Sequence, residues 1–363
     1  MIAAGGTGGH VYPALAVAEA LPQLVNDIEL EFVGTQGRFE RPLVERSGLT
    51  FNAYHEIMGG PIAGVNPLRA LLSTAKLSFG VLQSLALLLR RRPAAVLMTG
   101  GWANLPLAVA TWLLRVPAVV YLPDIEPGMT IRFLGRFVPR VAITMPESAA
   151  YFRDGQTVVT GYPLRQDRLN ANREEAIEHF QLDPQRLTLL VTGGSRGARS
   201  INIAVINIAR QLLDEGVQIL HISGTLDYER CQQQAGDLLQ HPHYHLYPYL
   251  HDDMGLAYAA ADVVVARAGA SVLGEIPHFA VPSILIPYPY AWRYQKVNAD
   301  YLEKRGAAVH LADEEMAEAL LPLLQDLFRN PQRRQQIIES ARAVAQPNGA
   351  ARIAQLLIDV ARR

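Results

Sequence analysis

The sequence predicts an α/β protein built from two doubly wound domains, on three observations. The first is length: 363 residues exceed one ordinary domain and suit two. The second is a local grammar that occurs twice, an apolar strand, a glycine-rich loop and a helix. Met1-Ile2-Ala3-Ala4 runs into Gly5-Gly6-Thr7-Gly8-Gly9-His10, and residues 187–192 run into Gly193-Gly194-Ser195-Arg196-Gly197-Ala198, about half the chain further on. The third is a series of short, nearly continuous Val/Ile/Leu runs between helical patterns, the mark of parallel strands covered on both faces.

In chain order, the first strand is short because the chain starts almost on the loop. The helix after it reads 13–21, with Pro13 near its first turn. Strands follow at 29–33, 95–99, 118–122 and 140–144. Glycine and proline interrupt the pattern at Gly161-Tyr162-Pro163-Leu164-Arg165, which places the domains at 1–160 and 161–345. The second domain opens with strand 187–192 and a helix whose apolar period runs through Ile201, Val205, Ile208, Ala209, Leu212 and Leu213. Strands at 217–223, 262–266 and 283–287 complete it. A last helix, within 346–363, is expected to pack back on the first domain.

Composition excludes several classes. Half the residues are hydrophobic and only 18% charged, so wholesale disorder is excluded. A formal charge of −1 gives no whole-protein field for nucleic acid. Cys231 is the only cysteine, which excludes internal disulfides and multi-cysteine zinc sites. Residues 1–10 lack the basic and apolar regions of a signal peptide. The longest greasy stretch, Leu68–Leu89, carries Arg69, Ser73, Lys76, Ser78, Gln83 and Ser84. Its cleanest run, 85–89, is far short of the roughly 20 apolar residues of a membrane span. A soluble or membrane-surface protein is expected. With Arg90, Arg91 and Arg92 at its margin, this stretch reads either as an interfacial helix or as a buried helix with a basic C-terminal end.

Glycine loops at strand ends let backbone N–H groups approach an anion, and the following helix favours negative charge there. Neither loop is followed by Gly-Lys-Ser/Thr, and neither fits Gly-x-Gly-x-x-Gly, which weighs against P-loop ATP hydrolysis and dinucleotide binding. A third loop, Arg267-Ala268-Gly269-Ala270-Ser271, follows strand 262–266 and leads into a helix with Glu275 one turn in. Glu275 reads either as acceptor for two ribose hydroxyls or as complement to the helix N-terminus. His10, beside several glycines at a strand end, reads as a general base or as a helix-capping histidine. His241, His243 and His245 alternate as strand residues facing one side would, a metal-compatible spacing, but Pro242 between them argues for a loop or strand edge. No Asp-x-Asp pair offers itself to a divalent ion, and no metal or cofactor is expected.

Residues 5–18, Gly5-Gly6-Thr7-Gly8-Gly9-His10-Val11-Tyr12-Pro13-Ala14-Leu15-Ala16-Val17-Ala18, resemble the opening signature of glycosyltransferase family 28, the bacterial N-acetylglucosaminyltransferases that complete the lipid-linked disaccharide of peptidoglycan. Gly100-Gly101-Trp102 resembles the family's second glycine loop, with Asn104 where the family has serine. Gly161–Arg165 resembles its Gly-Asn-Pro-Val-Arg, Gly193–Ala198 its Gly-Gly-Ser-x-Gly-Ala, and Gln295-Lys296-Val297-Asn298-Ala299 its Gln-x-x-Asn-Ala. The resemblance covers nearly the whole chain and implies a GT-B fold, two Rossmann-like domains facing across a cleft. It also implies an inverting transfer of N-acetylglucosamine from UDP-GlcNAc to a polyprenyl-diphosphate-linked acceptor. The implied diphosphate contacts are Ser195, Arg165, Arg267, Gly269, Ala270 and Ser271. Glu275 would take the ribose, Gln295 and Asn298 the donor sugar, and Thr7, Gly8 and Gly9 further substrate contacts. His10 is the implied base. The family's His-Glu-Gln-Asn near residue 120 is replaced here by Tyr121-Leu122-Pro123-Asp124, so Asp124 is a second catalytic candidate on the acceptor side. Peripheral contact with the cytoplasmic face of the membrane through Leu68–Arg92, and a cell-wall synthesis complex, follow from the same resemblance. Other readings of these residues are a related transferase with another lipid-linked acceptor, a UDP-sugar 2-epimerase of the same fold, and an inactive nucleotide-sugar-binding subunit.

Overall fold

A computed structural model describes residues 1–6, 8–37, 40–61, 66–194, 197–290 and 293–362. The chain divides into two compact units, 1–165 with 346–363, and 166–345. Residues 161–165 thus fall with the first unit.

The first unit is built on a parallel sheet of seven strands: β1 (Ile2–Ala3), β2 (Glu31–Thr35), β3 (Ala53–Ile57), β4 (Val96–Met98), β5 (Ala118–Leu122), β6 (Arg140–Ile143) and β7 (Thr157–Val159), in the order β3-β2-β1-β4-β5-β6-β7. The second unit has six: β8 (Thr188–Thr192), β9 (Gln218–Ile222), β10 (Tyr244–Tyr247), β11 (Val263–Ala266), β12 (Ser283–Leu285) and β13 (Val309–His310), in the order β10-β9-β8-β11-β12-β13. The central strands are the apolar runs that the sequence shows, and β2, β4, β5, β8, β9 and β11 are buried along their whole length. Helices cover both faces, as an all-parallel sheet requires.

Four strands escape the sequence reading: β3, β7, β10 and β13. All four are sheet edges. Edge strands are half solvated, so they carry polar residues such as His55, Glu56 and His245 and lose the apolar signature. Pro13 also sits deeper than expected. The helix starts at Gly8 and runs to Leu24, which puts Pro13 in its second turn.

Within the helix Pro67–Arg91, the stretch Leu71–Arg91 is long and apolar enough to cross a membrane by length and composition. The helix packs along the helix Asn104–Leu114, with Leu77, Ser84 and Leu88 buried on that side. Its other face exposes Leu71, Leu72, Phe79, Leu82 and Leu89. The final helix, Gly349–Ala361, lies against the helix Gly8–Leu24 and against β5.

Candidate active site

Each sheet has one point where the strand order reverses, and ligands of open α/β sheets bind outside the carboxyl ends of the strands there. In the first unit that point lies between β1 and β4, because the chain passes from β1 outward to β2 and β3, and from β4 outward the other way. The loops that meet there are the first two glycine loops. Gly5 N–H donates to the Gly100 carbonyl (3.0 Å), and the Asn104 amide donates to the same oxygen (2.6 Å). Glycine is required at two adjacent positions of the second loop. Gly100 has φ +124°, and a β-carbon on it would lie 2.5 Å from His10 Cδ2. Gly101, at φ +100°, would place one 2.5 Å from the Gly5 carbonyl carbon.

His10 is held in this junction. Its ring Nδ1 lies 3.0 Å from the Gly5 carbonyl, and its own carbonyl accepts from Thr99 Oγ1 at 2.8 Å. A carbonyl only accepts, so Nδ1 carries the proton and Nε2 is the basic nitrogen. Burial lowers the imidazole pKa from its usual value, with the Gly5 hydrogen bond acting against it, so the ring is neutral at pH 7. That is the form a general base needs. Gly8 and Gly9 open the helix after this loop, while Thr7 lies outside the described residues.

Asp124 follows β5 at the same end of the sheet. Its neighbour Tyr121 does not line this face. It is fully buried, and its hydroxyl pairs with Thr144 Oγ1 at 2.8 Å, so it belongs to the core. Glu40 had no signal in the sequence, yet it braces the first loop. Its Oε1 accepts from Gly6 N–H at 2.9 Å, while Oε2 is buried with no hydrogen-bond partner among the described residues, as is Thr35 Oγ1 beside it. Arg165 is engaged within the first unit: one terminal nitrogen donates to the Ser47 carbonyl (3.1 Å), and Nε lies 3.9 Å from Glu19.

In the second unit the reversal lies between β8 and β11, where the loops after Thr192 and after Ala266 come together. Ser195 lies outside the described residues. Gly197 is obligatory, since at φ +81° a β-carbon would sit 2.2 Å from the Ser223 carbonyl oxygen. Gly194 and Gly269 are different, because a β-carbon on either would meet nothing within 4 Å among the described residues. Both glycines therefore border open space. Gly269, Ala270 and Ser271 form the turn into the helix Val272–Phe279, whose first backbone bonds run from Val272 N–H to the Gly269 carbonyl (3.1 Å) and from Glu275 N–H to the Ser271 carbonyl (2.8 Å).

Three expected donor residues turn inward. Arg267 donates to the carbonyls of Ile286 and Pro287 (both 3.2 Å), to Asp313 at 2.5 Å and to Ser200 Oγ at 2.7 Å. Its guanidinium also lies over the Tyr288 ring. Asn298 is fully buried and donates to the Ala268 carbonyl at 3.1 Å. Both brace loops from behind. Glu275 is 4% exposed, and its two oxygens take Arg168 and, at 3.1 Å, the Tyr258 hydroxyl. Gln295 sits at the surface end of this layer, where its Oε1 accepts from Tyr288 N–H (2.8 Å).

The histidine alternation does not become one strand face. Strand β10 begins at Tyr244, so of the three histidines it contains His245 alone, and His241 and His243 contact each other with ring centroids 5.7 Å apart. Among the described residues the cluster able to hold a metal is instead Asp300, Glu303 and His310, with ligand atoms within 4.8 Å of one another. Lys296 Nζ, 2.9 Å from Asp300, already supplies a cation there.

Comparison with known proteins places this architecture. Residues 1–143 match the glycosyltransferase family 28 N-terminal domain, and residues 188–357 match the glycosyltransferase family 28 C-terminal domain. A protein of Roseiflexus sp. is 37% identical over 97% of this chain and 93% of its own length. One of Halalkalibacterium halodurans is 33% identical over 100% and 99%. Both are named UDP-N-acetylglucosamine–N-acetylmuramyl-(pentapeptide) pyrophosphoryl-undecaprenol N-acetylglucosamine transferase. The crystal structure of Acinetobacter baumannii MurG superposes with a TM-score of 0.75 at 27% identity, covering 99% of this chain and 98% of that one. A Neisseria meningitidis UDP-GlcNAc 2-epimerase shares the fold at a TM-score of 0.67 and 13% identity, covering 99% of each chain. With both halves of the family model matched and relatives above 30% identity along its length, the chain belongs to glycosyltransferase family 28.

Proposed function

We propose that this chain transfers N-acetylglucosamine from UDP-N-acetylglucosamine to the C4 hydroxyl of undecaprenyl-pyrophosphoryl-N-acetylmuramoyl-pentapeptide, with inversion at the anomeric carbon. The observation that carries the reading is the second unit's switch point. There Gly194 and Gly269 border open space beside a helix start, and Glu275 follows within a turn. Two full-length relatives bear this activity in their names.

On the donor side, N–H groups at the start of the helix Val272–Phe279 and in loop 193–198 meet the diphosphate, Glu275 takes the ribose diol, and Gln295 reaches the sugar. As the bond from the anomeric carbon to the diphosphate breaks, the electron pair leaves with UDP, and these backbone dipoles stabilise the charge that develops. Arg267 and Asn298 serve by holding the loops. On the acceptor side, the C4 oxygen attacks the anomeric carbon while its proton passes to His10 Nε2. Asp124 is the alternative proton acceptor, and the pair of variants His10→Ala and Asp124→Asn decides between them: the true base is the one whose loss collapses kcat.

Attachment to the membrane is peripheral, at its cytoplasmic face. The exposed Leu71, Leu72, Phe79, Leu82 and Leu89 support it, with Trp112, Leu113, Met129 and Phe133 on nearby helices of the same unit. Arg90 and Arg92 lie at the end of that helix, whereas Arg91 donates to Glu31 Oε1 at 2.6 Å and is already paired.

One assay tests the whole reading. Labelled UDP-N-acetylglucosamine is incubated with and without the lipid-linked acceptor, and sugar transfer, UDP release and epimer formation are followed. Transfer that requires the acceptor is the expected result. Formation of the 2-epimer without acceptor would replace the reading with an epimerase.

A further inference from the structure

Glu275 is the deeply buried carboxylate of the donor reading, so something must make its charge tolerable. Two side chains do so. Arg168 pairs with Oε1, and Tyr258 donates to Oε2 at 3.1 Å. Arg168 is itself only 13% exposed. It belongs to the short helix Gln166–Leu169, the first element of the second unit, and it is docked twice on the helix that carries Glu275, because His278 also hydrogen-bonds the Arg168 backbone. Tyr258 is fixed in turn by stacking on Phe279, at 5.3 Å between centroids and 8° between planes.

A carboxylate has about four lone-pair positions. Arg168 and Tyr258 take one on each oxygen, which leaves one on each for further donors. Two adjacent ribose hydroxyls present two donors side by side. We propose that Arg168 is a positioning residue for the donor nucleotide: with Tyr258 it holds the Glu275 carboxylate in the one orientation that offers both oxygens to the ribose diol. The inference rests on the reading of Glu275 as the ribose acceptor. Nothing in the sequence pairs residues 107 positions apart, and Arg168 lies outside every motif quoted for the family.

The test is calorimetric, on the full chain, with UDP and 2′,3′-dideoxyuridine diphosphate as probes. The unmodified chain should prefer UDP about tenfold or more, and Glu275→Gln should abolish that preference. Arg168→Leu should cut it to threefold or less while leaving affinity for the dideoxy compound unchanged, which also shows that the unit is folded. Arg168→Lys, which keeps a charged donor, should recover part of the preference. Should Arg168→Leu fail to fold, Tyr258→Phe and Arg168→Lys carry the test, and both should lower the preference. A preference abolished by Glu275→Gln but intact in the Arg168 variants overturns the inference alone. A preference that rises on loss of Arg168 also overturns it, by making Arg168 a competitor of the ribose. No preference in the unmodified chain overturns the ribose reading, and the inference with it.

Discussion

Substituting Gly100 by alanine should disable the acceptor side without touching the donor side. The new β-carbon would stand 2.5 Å from His10 Cδ2, 2.7 Å from Nε2 and 2.9 Å from Cγ. Ordinary contact begins near 3.4 Å, so the imidazole must retreat by about 0.9 Å. It has little room to do so, because Nδ1 is tied to the Gly5 carbonyl and the His10 backbone to Thr99. The backbone at Gly100 adds strain of about 1–3 kcal/mol, since φ +124° is a conformation that alanine resists. A displacement of about 1 Å in a catalytic group costs about a hundredfold in rate. Steady-state kinetics with saturating lipid acceptor should therefore show kcat down by about 10², with UDP affinity unchanged in calorimetry. The informative comparison is the double variant. If both changes act through the ring, Gly100→Ala on top of His10→Ala should lower kcat no further, since two perturbations of one interaction do not add. A kcat within threefold of the unmodified enzyme in Gly100→Ala would refute the reasoning, as would full additivity in the double variant.

Three further outcomes follow from the same geometry. Glu275→Gln should weaken UDP binding by about 1–3 kcal/mol, read as a raised donor KM with acceptor KM unchanged. His221 is buried between Tyr244 Oη (2.9 Å) and Asn202 Oδ1 (3.0 Å), and burial pushes its pKa down to about 3. The unfolded chain protonates near pH 6.5, so this histidine's contribution is complete above that pH. It falls by about 1.4 kcal/mol per unit below it, a loss of about 2 kcal/mol at pH 5. Hydrogen exchange of β8 and β9 should show this loss, and it should shrink in His221→Gln; equal losses in both proteins would mean that His221 is not held neutral. Changing Arg90 and Arg92 together to glutamate should weaken binding to anionic vesicles at low salt by more than the roughly 1 kcal/mol that each arginine supplies, while Arg91→Glu acts instead on the Glu31 and His55 network. Vesicle binding indifferent to both salt and the arginine changes would count against an interfacial helix.

How far the sequence could be read depended on where each residue lies in its sheet. Strands β2, β5 and β8 are covered on both faces, so their side chains must be apolar and the pattern is visible. The edge strands answer to water on one side and are not. The glycine loops were legible because crowding at Gly101 and Gly197 excludes any side chain, and that exclusion is written as glycine. The partners of the functional groups were not. Arg168, Tyr258 and Glu40 reach their sites through tertiary contacts between distant segments, and no local period records such a meeting. Arg267 and Asn298 show the converse. Their positions follow the family pattern, but Arg267 donates to two carbonyls, Ser200 and Asp313, and Asn298 to the Ala268 carbonyl. Tyr121, read as part of an acceptor loop, is interior because its hydroxyl has Thr144 as a buried partner.

The return of the chain into its first unit bears on biosynthesis. Gly161, at φ +84°, has no room for a β-carbon because the Gln346 carbonyl oxygen would stand 2.5 Å from it, and Gly349 is equally closed in by Tyr162. The outgoing and returning strands of the chain are thus sealed against each other. The final helix then covers β5 and the helix Gly8–Leu24. During synthesis the second unit, being continuous, has all its residues before the first unit has its lid. The N-terminal sheet must wait, with one helical face uncovered, until the helix Gly349–Ala361 emerges. A nonsense codon just before residue 349 would therefore injure the half of the enzyme that was made first.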